Sequence, residues 1–118
     1  MKLFSGWITV MVNDVEAAAR WYAEKFELKS SGVRQEDGTR SCQLLSRDMD
    51  TKIVLCQKES DDEEPDRAIL NTGNAAKARE WLLARAVNVG PVTADRKGTR
   101  YFEMRDSEDN PVEICEEP

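Results

Sequence analysis

"WITVMVNDVEAAARWYAEKF", Trp7 to Phe26, is the stretch whose reading decides the fold. Ile8, Val10 and Val12 alternate with Thr9 and Met11, the period of two that marks a half-buried strand. Asn13 followed by Glu16 has the form of a capping box, and Asp14 and Glu16 suit the positive end of a helix. Val15, Ala18, Tyr22 and Phe26 then fall on one helical face, so a helix is expected from Asn13 to about Phe26. Sixty positions further on, "RAILNTGNAAKAREWLLARA" (Arg67 to Ala86) makes the same move. Ala68, Leu70 and Thr72 take the inward strand places, Asn74 the cap, and Ala75, Ala78, Leu82 and Ala86 the helical stripe. Trp21 falls on Trp81 and Ala18 on Ala78, a coincidence too close for chance.

Short extended runs follow each helix. Gly32 to Glu36 and Thr39 to Leu45 flank Asp37-Gly38, a two-residue hairpin signal, and Thr51 to Gln57 makes a fourth strand. In the second half Gly90 to Ala94 and Thr99 to Arg105 flank Asp95 to Gly98, and Pro111 to Cys115 closes the unit. Ile53, Leu55 and Cys56 fall on Val112, Ile114 and Cys115. Each half is therefore β-α-β-β-β. The expected architecture is α+β: two βαβββ modules in tandem, forming a curved mixed sheet around a cavity with the helices on the outer face. The modules cover about residues 5–58 and 67–118 of a single domain spanning 1–118, joined by an acidic linker, residues 59–66. One helix and four strands are too little to bury a sheet alone, so the two modules are expected to share a core.

The totals narrow the function. A chain of 118 residues with 34% charged residues and 40% hydrophobic ones is a thin-cored globular domain with a solvated surface. Its net charge of −6 argues against a nucleic-acid backbone as partner, which needs clustered Lys and Arg. Such a surface mainly keeps a protein dispersed, with a bias toward cationic ligands as the sharper alternative. No apolar run approaches the ~18 residues of a membrane-spanning helix, and the start runs directly into a strand pattern. No membrane partner is expected, and a cytoplasmic location is. Cys42, Cys56 and Cys115 are odd in number without C-x-x-C spacing, which suits reduced packing residues. The chain contains no histidine.

Three stretches resemble the vicinal oxygen chelate superfamily, which groups glyoxalase I, extradiol dioxygenases, fosfomycin-resistance transferases and bleomycin-resistance proteins. "ITVMVNDVEAAARWY" resembles its opening strand, turn and helix; "AVNVGPV", Ala86 to Val92, resembles the segment after its second helix. "RYFEMRDSEDNPVEI", Arg100 to Ile114, is similar to its closing signature, with Ser107 where Pro is usual and Asp109 where Gly is usual. Asp tolerates the left-handed backbone better than most residues, so the turn is expected to survive.

The resemblance implies a metal held by up to four side chains from the first and last strands of each module. Those places are Trp7, Val54, Arg67 and Glu113 here, and only Glu113 is a ligand-type residue. Trp offers no lone pair, Val is inert, and Arg is a permanent cation. No metal ligand set of the usual kind, and no cofactor, is therefore expected, with a divalent metal the less favoured alternative. Strand alternation instead fills the cavity with Trp7, Thr9 and Met11, Val54 and Cys56, Arg67, Ile69 and Asn71, and Glu113, with Tyr101 and Glu103 as possible walls. Trp7 reads either as fill at a dimer seam or as a stacking platform. Arg67 and Glu113 read either as a structural ion pair in the metal's place or as a ligand anchor. Cys56 and Cys115 read as packing residues or as a thiolate pair for a soft metal.

The resemblance and these residues together lead to a metal-independent, bleomycin-resistance-like protein binding a small aromatic or cationic molecule, as a homodimer. The alternative is a metal-dependent lyase or dioxygenase with an atypical site built from Glu113, Glu103 and a cysteine. A third reading is an accessory dimerisation domain. The sequence leaves open whether the chain is an enzyme, and no catalytic residue is assigned.

Overall fold

The computed structural model describes residues 3–59 and 68–117. Strand β1 (Gly6–Val12) leads into helix α1 (Val15–Phe26), then β2 (Lys29–Glu36), β3 (Thr39–Leu45) and β4 (Thr51–Gln57). The second half repeats this as β5 (Ala68–Thr72), α2 (Ala75–Ala84), β6 (Asn88–Val89), β7 (Thr93–Ala94), β8 (Arg100–Arg105) and β9 (Pro111–Glu116). The first sheet has the order β1-β4-β3-β2; the second runs β5-β9-β8-β6, with β7 also paired to β8. In each sheet the first and last strands of the module are parallel and the other pairs antiparallel. The two mixed sheets meet edge to edge, where Ser5 and Asn71 form an antiparallel bridge with N···O distances of 2.8 Å in both directions.

Alternation sets the two faces of each strand. Ile8, Val10 and Val12 in β1, Ile53 and Leu55 in β4, Leu70 in β5, and Val112 and Ile114 in β9 are buried toward the helices. There they meet Val15, Ala18, Tyr22 and Phe26 of α1, or Ala75, Ala78 and Leu82 of α2. Trp21 and Trp81 pack against this core from its margin. The remaining strand side chains form a helix-free face, and a functional site on it would draw on both modules.

Several boundaries move. Helix α1 is capped by Asp14 rather than Asn13: the Asp14 side chain accepts from Ala17 N–H, while α2 is capped as expected by Asn74. Asp and Asn one residue apart offer equivalent caps, and the glutamate that decides between them is distant in sequence. Strand β2 begins earlier than expected, at Lys29, and its register shifts between Ser30 and Val33. The β2–β3 hairpin turns on Asp37 and Gly38, both with positive φ, 51° and 78°. The run expected as one strand from Gly90 to Ala94 is two short pieces either side of Pro91, which has no N–H for a ladder. Linker residues 60–66 and Arg67 lie outside the described residues.

Candidate functional site

One transverse row organises the helix-free face. Lys29 pairs with Leu45, Leu45 with Lys52, and Lys52 with Trp7. Across the seam, Ile69 pairs with Glu113, and Glu113 with Glu103. The Ser5–Asn71 bridge sets Trp7 abreast of Ile69, and a β-carbon on Gly6 would lie 3.7 Å from the Ile69 carbonyl oxygen. Directly paired residues project to the same side of a sheet, about 5 Å apart. The row therefore reads Lys29, Leu45, Lys52, Trp7, Ile69, Glu113, Glu103: basic at one end, apolar at the seam, acidic at the other.

Trp7 is 71% exposed and Ile69 36%, and both are large apolar groups offered to solvent. The Lys52 ammonium lies 5.0 Å from the Trp7 ring centroid. Lys52 escaped the sequence reading although the signal was present: it shares the alternation of Val54 and Cys56. What the sequence could not supply was the register that puts it beside Trp7.

The other expected site residues lie in neighbouring rows. Thr9 pairs with Val54 and Met11 with Cys56 in the first sheet; Asn71 pairs with Cys115 and Cys115 with Tyr101 in the second. Burial pushes the Cys56 thiol up from its ordinary pKa, which keeps it protonated. Cys115 Sγ donates to Glu113 Oε2 at 3.2 Å, and Glu103 pairs with Arg105 at 2.8 Å. Two glutamates facing each other across a ladder repel, and Arg105 offsets that at Glu103. Arg67, and with it the expected Arg67–Glu113 pair, falls outside the described residues.

The donor chemistry is a poor match for a metal. Of the places where the resemblance puts ligands, Trp7 and Val54 have no donor, and Glu113 is the carboxylate. Among the described residues no three His, Cys, Asp or Glu side chains gather in a way that could hold an ion, including Glu113, Glu103 and Cys115.

The two halves of the face are held together on the helical side. The turn between β8 and β9 reaches from the second module to the first. Tyr22 donates its hydroxyl to Asp106 Oδ2 at 2.7 Å, and Asn110 Nδ2 donates to the same oxygen at 3.1 Å and to the Met11 carbonyl at 3.3 Å. Glu108 accepts from the Asn13 and Asp14 N–H groups at 2.7 and 2.9 Å, which places a carboxylate at the start of α1 and fixes Asp14 as its cap. Burial, then the charge and hydrogen bond of Asp106, then Glu108 hold the Tyr22 phenol far above its ordinary pKa. A cleft of about 350 Å³ on the outer side is lined by Phe4, Phe26, Trp81 and the β3–β4 turn, away from the row.

A family model described as the Glyoxalase/Bleomycin resistance protein/Dioxygenase superfamily matches residues 5–114. The chain belongs to this superfamily. Among solved structures, a superfamily member from Sphaerobacter thermophilus shares 21% identity at a TM-score of 0.75, covering 96% of each chain. TnmS3, an antibiotic binding protein from Streptomyces sp. CB03234, shares 19% identity at a TM-score of 0.75, covering 95% of this chain and 93% of its own. TioX from Micromonospora sp. ML1 shares 13% identity at a TM-score of 0.68, covering 95% and 97%. At these identities the likeness establishes the superfamily's fold, two tandem modules with helices outside. No curated protein sequence matches the chain.

Proposed function

We propose that this protein binds a small aromatic or cationic molecule on the helix-free face and does so without a metal. One observation carries the reading: Trp7, the most exposed large apolar side chain of the described residues, stands at the seam of the two modules. An indole left in water at a junction is a poor core residue and a good stacking platform. Ile69 extends the apolar surface, and Thr9, Met11, Val54, Cys56, Asn71 and Tyr101 surround it. Glu113 and Glu103 place carboxylates at the second-module end of the row. Arg67 is assigned to the same site from its place in the sequence. The antibiotic-binding description of TnmS3 supports the same class of role on the same fold.

Among the described residues the face is open, with Trp7 offered to solvent, and a ligand site normally buries most of its ligand. We therefore expect a homodimer, whose second copy supplies the missing wall, working in the cytoplasm. Light scattering at micromolar concentration should give the dimer mass, and a monomer would refute that part. No helix among the described residues is long and apolar enough to cross a membrane.

The test of binding is a titration with aromatic antibiotics and small aromatic amines, read by thermal shift and tryptophan fluorescence. Trp7→Ala should abolish saturable binding and leave the unfolding free energy from urea titration within about 0.5 kcal/mol of wild type, as for other exposed sites. Near-stoichiometric Mn, Fe, Zn or Ni after mild purification, lost in Glu113→Ala, would overturn the metal-free reading in favour of a lyase or dioxygenase.

A further inference from the structure

We propose that Lys52 is an anion-binding group within this face, and that the molecule it selects is a small aromatic anion, a carboxylate or sulfonate attached to a flat ring. The inference rests on the reading of the helix-free face as the ligand site; it narrows the aromatic part of that reading to one class of ligand and sets the cationic part aside at Trp7.

Three observations carry it. Lys52 stands directly across the β1–β4 ladder from Trp7, so ring and ammonium form one surface. Its ammonium has the indole as its partner: the ion pairs among the described residues join Arg40 to Glu16, Arg85 to Glu27 and Arg105 to Glu103, and none takes in Lys52. The charge along the row is also divided. Lys29 lies two strands beyond Lys52 on the same side, while the acidic pair Glu113 and Glu103 lies across the seam.

This arrangement treats charged ligands differently. A cation stacking on Trp7 would find the ring already faced by an ammonium and would be repelled at close range. A neutral ring would displace the lysine from the indole and leave nothing in exchange. An aromatic anion meets both groups at once: its ring takes the indole, and its charge takes the ammonium, which the flexible four-carbon stem can carry to it. Ile69 lies beside the indole and extends the apolar contact.

The experiment is an NMR titration of the whole protein, following the Trp7 indole N–H signal, which is assigned by its loss in Trp7→Phe. The probes share one ring system: naphthoate, naphthylmethanol and naphthylmethylammonium. Naphthoate should bind about ten-fold more tightly than the other two at low salt, the scale of one charge-assisted contact. That preference should fade as salt rises. Lys52→Met, which keeps the apolar stem, should make the three probes equal, and Lys52→Glu should favour the ammonium; urea midpoints close to wild type certify the fold. Equal binding of all three probes by wild type, or a preference that survives Lys52→Met, would overturn the role of Lys52 while leaving the binding reading in place. A Trp7 signal unmoved by any probe at millimolar concentration would overturn both.

Discussion

The turns that close the two modules are built alike and do different work. In the first, Ser46 N–H donates to the Thr51 carbonyl and Met49 N–H to the Ser46 carbonyl; in the second, Asp106 N–H donates to Asn110 and Asp109 N–H to Asp106, all at 3.0 Å. Met49 and Asp109 adopt the same left-handed backbone, φ 64° and 65°. Ser46 Oγ accepts from Thr51 N–H as Asp106 Oδ1 accepts from Asn110 N–H. The first turn is one residue longer, and a further difference is one oxygen. A carboxylate has a second one, and Asp106 spends it on Tyr22 of the other module. Ser46 has no second side-chain oxygen to offer, and Leu82 stands where the repeat would place a second tyrosine. There the aromatic-lined cleft remains. A repeat can thus keep much of its backbone geometry while the side chains of a turn, Asp106, Glu108 and Asn110 here, fasten two modules together.

The largest effect that would break this comparison is at Asp106. Asp106→Ala leaves the buried Tyr22 hydroxyl and the Asn110 amide without their shared acceptor, and should cost about 3 kcal/mol by urea unfolding. A loss below about 0.5 kcal/mol would make the tie ornamental. Next comes Tyr22→Phe, expected to cost about 2 kcal/mol at neutral pH, as for a hydrogen bond to a charged group. Its pH signature is more specific. The folded phenol pKa is raised above the unfolded value, so the contribution of Tyr22 is complete below about pH 10 and declines as pH rises beyond it. The stability gap between wild type and Tyr22→Phe should therefore narrow in alkali; a constant gap would contradict the burial of the phenol.

A smaller effect sharpens the comparison at the helix starts. Glu108 serves α1 from the other module, whereas Glu116 accepts from Ala75 N–H of α2 at 2.8 Å within its own module. Glu108→Ala and Glu116→Ala should each cost about 1 kcal/mol. A cycle with Asp106→Ala should show coupling for Glu108 and additivity for Glu116. Smallest of all is Ser46→Ala, expected to cost less than about 1 kcal/mol, since its hydroxyl bonds only within an exposed turn.

The fold was readable where local pattern and burial agree. Alternation in β1, the repeat of Trp21 at Trp81, and Asp37-Gly38 each point to one answer, and the strands and the hairpin stand where they imply. What the sequence hid depends on partners far away in the chain. Asn13 and Asp14 are equivalent caps until Glu108, some ninety residues on, binds both N–H groups. Tyr22 reads as one more apolar residue of a helical stripe until Asp106 is placed against its hydroxyl. The candidate site divides in the same way. Which residues share the face of Trp7 follows from alternation, but that Lys52 lies against its ring follows only from the ladder register.

Strand β2 has a consequence for how the molecule behaves in company. All eight of its residues are exposed, and it is the outermost strand of its sheet, paired on one side to β3. A long free edge of this kind is where foreign strands attach and fibrils start. Here the edge is spoiled as a template: Gly32 lies within the shift of register, and Lys29, Arg34 and Glu36 put charge along the rest. An incoming strand would find its hydrogen-bonding partners out of step and would have to strip water from those charges. At its most vulnerable border the protein is guarded against its own kind of structure.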